Sequence, residues 1–317
     1  MMAKHPKRVW LPLAIVLLLL AGIVTCMWTL NRNLLPGSSR SPSGTGIHLG
    51  SGTSSSGEYN TVPMGQDDIH QGSLILVNND YAYSFPEDDQ LVSVYENKNK
   101  SYQVSTTHIQ LQKQFVSQFN AMMEDFSAAQ GIKDIIVVSG YRSKDDQQAI
   151  VNQKIQQLGK EEAMRWAAVP GYSEHHTGLA ADIGIYTSDG KSPSYQGQGK
   201  YAWINEHCAQ YGFVLRYQDD KKDITRIADE PWHYRYVGVP HASIMQQENL
   251  CLEEYTDFLK RYPYDGDHLT ASDENGKQYE IYYFPAKGDS MNVPVPKGKE
   301  YWISGNNVDG FIVTVQL

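Results

Sequence analysis

Ser173-Glu-His-His-Thr-Gly-Leu-Ala-Ala-Asp182 and, further along, Glu230-Pro-Trp-His233 hold the chemistry of this chain in two short segments. Together they supply two imidazoles, one carboxylate able to bind a metal and one free carboxylate able to act as a base. That is the inventory of a catalytic zinc site: three protein ligands, an open position for water and a general base beside it. In 179–185, strand alternation puts Leu179, Ala181, Ile183 and Ile185 on one face and Ala180, Asp182 and Gly184 on the other. Asp182 is thus flanked by very small side chains, which leaves room for a metal and its other ligands.

The segments around this pair predict alternating helices and strands. Leu111, Phe115, Phe119, Met122 and Phe126 recur at steps of three and four, predicting an amphipathic helix over 108–130 that ends at Gly131. Residues 134–139 read as a buried strand leading into Gly140-Tyr-Arg-Ser143. A second helix is expected from Lys144 to about Ala168, then a break at Pro170-Gly171. A helix over 203–211 closes at Gly212, before a strand over 213–216. Leu74-Ile-Leu-Val77 is expected to open the ordered part as a short strand.

Composition sets the surroundings. The 317 residues are 41% hydrophobic and 20% charged, with a net charge of −9 and no basic block beyond the extreme N-terminus. Such a surface repels phosphate backbones and argues against nucleic acid as a partner. Residues 9–30 are almost uninterruptedly apolar, follow Lys4, Lys7 and Arg8, and have the length of a membrane span of about 20 residues. No clear small-residue cleavage site follows, so an uncleaved single-pass anchor is expected, with the bulk of the chain outside a cytoplasmic membrane. Ser, Gly, Pro and Thr dominate 31–70, which reads as a flexible linker. Beyond 263, short β runs at 278–284, 292–295, 301–304 and 311–315 predict a small all-β extension. Cys208 and Cys251 read equally as one disulfide or as two small buried side chains.

Taken with Gly212-Phe-Val-Leu-Arg-Tyr217 and Glu230-Pro-Trp-His-Tyr-Arg-Tyr-Val-Gly238, these motifs resemble the zinc D-alanyl-D-alanine carboxypeptidases of the VanY type. Those enzymes trim peptidoglycan and share a fold with the hedgehog signalling domain. The similarity covers roughly residues 74–262. It implies an α+β zinc domain over 71–262, with His175, Asp182 and His233 as ligands of Zn2+ and Glu230 as the catalytic base. It also implies that Arg142, Gln147 and Ser173 bind the substrate's terminal carboxylate, a task for which a guanidinium is well shaped. His176 stands where these enzymes often carry Gln, and it and Glu174 are expected outside the reacting centre. Thr225-Arg226 departs from the Thr-Gly pair common in relatives. The implied activity is D,D-carboxypeptidase action on pentapeptide stems. L,D-carboxypeptidase action on tetrapeptides is the neighbouring alternative, and a non-catalytic zinc-containing wall-binding protein the alternative from another class.

Overall fold

The computed structural model describes residues 48–53, 58–86, 90–188 and 194–317. The expected anchor over 9–30 and the first part of the expected linker lie outside them. Among the described residues no helix is long and apolar enough to cross a membrane. The chain runs through β1 (His48–Thr53), β2 (Tyr59–Gly65), β3 (Leu91–Ser93), β4 (Gln103–Val104) and β5 (Gln110–Gln112) into helix α1 (Lys113–Gln130). Strand β6 (Ile135–Ser139), helix α2 (Lys144–Leu158), β7 (Ala180–Ile185), α3 (Ala202–His207), β8 (Phe213–Leu215) and β9 (His233–Tyr236) follow. Helices α4 (His241–Gln247) and α5 (Leu252–Leu259) lead to β10 (Asp267–Ser272), β11 (Gln278–Pro285), β12 (Ser290–Pro296), β13 (Glu300–Gly305) and β14 (Gly310–Gln316).

The metal segments sit on a five-stranded sheet ordered β4-β6-β7-β9-β8. All its pairings are antiparallel except β4 with β6. Because side chains alternate, one face of β7 offers Ala181 and Ile183 to a core shared with Ile135 and Val137 of β6, Phe213 of β8 and Tyr234 of β9. Helix α1 covers that face with Phe115, Phe119, Met122 and Phe126, at the spacing legible in the sequence. It starts at Lys113 rather than 108, since Gln110–Gln112 is drawn into a strand pair with β3. The opposite face carries Asp182 and His233.

Three further expectations are corrected. Helix α2 stops at Leu158, where Gly159 turns the backbone to φ +80°, instead of continuing to Ala168. Leu74-Ile-Leu-Val77 is not a strand. Several of its polar backbone groups are met by side chains instead: Ser304 Oγ accepts from Leu74 N–H, Arg235 donates to the Ile75 carbonyl, and Asn307 Nδ2 donates to that of Leu76. The second half of the expected linker over 31–70 is structured. Strand β1 pairs with β10, β2 pairs with β12, and Gln66–His70 forms a 3-10 turn. Small residues suit β1, because a Cβ at Gly50 would fall 2.7 Å from Thr270 Oγ1. The glycine that read as linker here makes room for a threonine side chain on the neighbouring strand.

The expected all-β extension is thus completed from the other end of the chain. Its sheet, β1-β10-β11-β14-β13, also shares a core with the zinc-site half. Leu269, Ile281 and Ile312 pack with Leu76, Val237, Ile244, Leu252 and Tyr255. Buried His241 of α4 bridges Tyr255 Oη and Thr314 Oγ1, each at 2.8 Å. Ile281→Ala, which empties a fully buried position in that shared core, should cost about 2–5 kcal/mol of stability. It should also speed amide exchange in β7 and β9. Wild-type exchange rates there in the variant would show the two halves to be independent.

Candidate metal centre

Hydrogen-bonded pairing builds the centre. Asp182 of β7 is the cross-strand partner of both His233 on β9 and Ser139 at the end of β6. The register of β6 slips between Val137 and Ser139, a bulge of the kind that re-aims side chains beside active sites. His175 arrives on a 3-10 turn, Glu174–Thr177, closed by Gly178 at φ +66°. A Cβ at Gly178 would lie 2.5 Å from Leu91, so both backbone angle and space require glycine there. His175, Asp182 and His233 each present a ligand atom within 4.8 Å of the others.

The ring nitrogens are assigned by what else they touch. His175 Nδ1 donates to the Gly140 carbonyl at 2.7 Å, leaving the lone pair of Nε2 towards Asp182 Oδ2 at 3.3 Å. His233 Nδ1 lies 3.0 Å from Asp182 Oδ1, while its Nε2 faces Glu174 Oε2 at 3.4 Å. Each imidazole is therefore held from behind and offers its other nitrogen to a shared point, the arrangement seen around protein-bound metals. Burial and the Arg142 charge push His175 down to about 4. Burial also works against charge on His233, but hydrogen bonds to Asp182 and Glu174 outweigh it and hold that ring up at about 9. Burial opposes the Asp182 charge as well, yet His175 and Arg142 keep its carboxyl well below the usual range. The site favours positive charge beside Asp182, and two nitrogens with one carboxylate oxygen fit a small divalent cation such as zinc.

Glu230 begins the turn that delivers His233, with His233 N–H bonded to its carbonyl. Its carboxylate stands 3.8 Å from His233 Nδ1, and burial pushes it up to about 7. Ser143 caps α2 through a reciprocal box with Asp146, which fixes the helix start directly behind Arg142. The Arg142 guanidinium reaches Asp182 Oδ2 at 2.6 Å, Ser139 Oγ at 3.0 Å and Gln147 Oε1 at 3.4 Å. Those bonds use three of the five guanidinium N–H groups. Gln147, fully buried, is itself held by the Ala168 carbonyl at 2.7 Å. Ser173 caps the 3-10 turn, its Oγ accepting from His175 N–H. All seven residues singled out in the sequence line one cavity of about 300 Å³, walled further by Ile150, Trp166, Tyr217, Ile227 and Trp232.

Glu174 does more than the sequence reading assigned to it. Wholly buried, it takes Arg216 Nε at 2.8 Å and Arg235 Nη1 at 2.9 Å on Oε1 and faces His233 with Oε2. Burial raises its carboxyl, but the two guanidiniums dominate and keep it ionised. The available signal was an acidic residue directly before His175 in a short segment turned by Gly178. Other residues lie elsewhere: His207 stacks on Trp203, and Tyr234 Oη meets Tyr195 Oη at 3.0 Å on the core side. Cys208 and Cys251 are two buried free thiols. Arg226 occupies a left-handed position at φ +61° where glycine is usual, and its guanidinium pairs with Asp80.

A two-histidine, one-carboxylate centre with a buried glutamate beside it, on an antiparallel α+β sheet, defines a metallopeptidase-type site. The VanY family, D-alanyl-D-alanine carboxypeptidase, matches residues 108–239. A D-alanyl-D-alanine carboxypeptidase of Enterococcus faecium is 37% identical over 269 residues, spanning 84% of this chain and 81% of the relative. Another, from Enterococcus faecalis, is 36% identical over 226 residues, spanning 67% and 78%. A solved structure of the vancomycin-resistance D,D-dipeptidase VanXYg, in complex with a D-Ala-D-Ala phosphinate analogue, is 35% identical with a TM-score of 0.73. It covers 82% of this chain and 100% of that one. The chain belongs to the VanY family of D-alanyl-D-alanine carboxypeptidases.

Glu174→Gln removes the carboxylate behind His233 and the counter-charge of Arg235. It should lower divalent-metal affinity by about 10–100-fold and stability by about 3–5 kcal/mol. Chelator competition and thermal unfolding check the two separately, and unchanged affinity would refute the orienting role of Glu174.

Proposed function

We propose that this chain is a zinc-dependent D,D-carboxypeptidase that removes the terminal D-alanine from peptidoglycan pentapeptide stems. The observation that carries the reading is the buried Glu230 carboxylate, 3.8 Å from His233 and in the same cavity as Arg142. A protein that only held metal would have no use for an acid confined there. His175, Asp182 and His233 would hold the zinc ion, which when bound supplies Lewis-acid polarisation and a water that loses its proton near neutral pH.

The chain's own residues do the rest. Glu230 stands where it can take a proton from the attacking water and return it to the leaving amine of D-alanine, as a general base and then acid must. Arg142 offers a fixed cation for the free C-terminal carboxylate, with Gln147 and Ser173 on the same wall. Asp182 holds that guanidinium at 2.6 Å and so sets the distance between carboxylate recognition and the reacting carbonyl. Trp166, Ile150 and Ile227 give the cavity an apolar side suited to alanine methyl groups. The apolar stretch 9–30 would tether the enzyme to a bacterial cytoplasmic membrane with its site facing the wall, where such stems are found; its length and basic flank support that placement.

Mass spectrometry of products from the zinc-loaded protein, given pentapeptide and tetrapeptide stems side by side, decides the reaction. Loss of one D-alanine from pentapeptide alone is expected, and cleavage of tetrapeptide would move the enzyme to L,D specificity. Glu230→Gln should keep its metal while activity falls by about 10²–10⁴-fold. Metal binding with no cleavage of either stem by the unaltered protein would leave a wall-binding role instead.

A further inference from the structure

His176 is the residue the reaction has not used. It is fully buried beside His175, yet both its ring nitrogens are taken by backbone groups and it does not line the cavity. Its Nε2 accepts from the Gly171 backbone N–H at 2.9 Å, so that nitrogen carries no proton. Its Nδ1 must then bear the ring proton, and it donates to the Arg142 carbonyl at 2.6 Å. One imidazole in one tautomer thus joins two loops, the turn leading to Ser173 and the junction carrying Arg142. Phe85 packs against the ring at 4.9 Å, with Lys144 Nζ 4.4 Å from the centroid of that phenyl. Gly171, at φ +93°, also gives its carbonyl to Tyr83 N–H at 2.8 Å, so the turn is pinned from both sides.

The Arg142 backbone is held at both of its polar groups by consecutive residues. Its N–H donates to the His175 carbonyl at 3.2 Å, and its C=O accepts from His176. We infer that His176 is a positioning residue for carboxylate recognition: it registers the origin of the Arg142 side chain, and the turn before Ser173, against the metal ligand next to it. His175 and His176 would divide the labour, one holding metal and the other fixing where the guanidinium stands. This rests on the carboxypeptidase reading, because only a reaction at a free C-terminus needs that spacing. An angular error in the Arg142 backbone grows along its long side chain, and a supporting shell left loose is enough to misplace a site.

The roles of the ring also say which side chain could replace it. Glutamine has one acceptor and one donor at the end of a flexible stem and can serve both backbone groups, whereas leucine fills the space and serves neither. The experiment uses the full chain in detergent, zinc-loaded, with an acyl-D-Ala-D-Ala substrate and its C-terminal amide. His176→Leu should raise KM for the free acid by about 10–100-fold, with kcat and zinc affinity near wild type, and should narrow the preference for acid over amide. His176→Gln should restore both KM and the preference. Nitrogen-15 NMR of the unaltered protein should show the His176 proton on Nδ1. An unchanged KM and preference in His176→Leu, or a proton on Nε2, would overturn the inference. If His176→Leu does not fold, His176→Gln and the NMR tautomer decide it, and loss of the acid preference in His176→Gln counts against it. If the unaltered protein leaves the acid uncut, the carboxypeptidase reading fails, and the inference about carboxylate recognition falls with it.

Discussion

A buried carboxylate between two buried guanidiniums holds this site together. Glu174 shares Oε1 between Arg216 and Arg235, and Arg216 turns its other edge to Glu253 in a two-pronged pair at 2.7 and 2.9 Å. Two anions and two cations are thereby neutralised with only Glu253 in partial contact with water. Such a cluster is tolerable only when complete, because removing one member leaves a buried charge uncompensated. What it secures is geometry. Glu174 precedes His175 in the chain and touches the far nitrogen of His233, so the orientations of two imidazoles from distant segments are tied through one side chain. The same carboxylate favours a polarised imidazole at His233, which strengthens its hold on a cation.

The sheet explains why these side chains meet. Asp182, His233 and Arg235 fall on one face of β7 and β9 by alternation, and Arg216, just beyond β8, donates its N–H to the His233 carbonyl. The other face is closed by α1. Asp182 stands between the two imidazoles and Arg142, so one carboxylate joins the three candidate metal-binding side chains to the guanidinium. Short antiparallel strands carry both jobs with little loop between them, the rigid support a catalytic geometry needs.

Much of this was legible because it depends on local pattern. Steps of three and four gave α1, alternation gave the two faces of β7, and residue types with their order picked out the side chains that the fold gathers in one cavity. What was hidden depends on distant partners. Glu174 looked structural because its arginines lie far along the chain. His176 looked idle because its partners are backbone atoms, which leave no mark in side-chain sequence. Strand β1 looked like linker because glycine and serine signal flexibility unless another strand lies close enough to need them. Leu74-Ile-Leu-Val77 looked like a strand because β-branched residues favour one, whereas its backbone is shared out among Arg235, Ser304 and Asn307.

That last segment ties the C-terminal sheet to the chemistry. Arg235, one arm of the buried cluster, also donates to the Ser73 and Ile75 carbonyls. From the opposite side, Ser304 and Asn307 of the C-terminal half hold Leu74 and Leu76, and Leu76 N–H bonds the Asn306 carbonyl. Residues 73–76 are therefore clamped between the metal-site cluster and the β extension, while Glu253 of α5 closes the cluster from a helix packed on the same extension. A few backbone carbonyls and one guanidinium join the C-terminal sheet to the carboxylate beside His233. The sheet is better understood as the far wall of the peptidase than as a module carried alongside it.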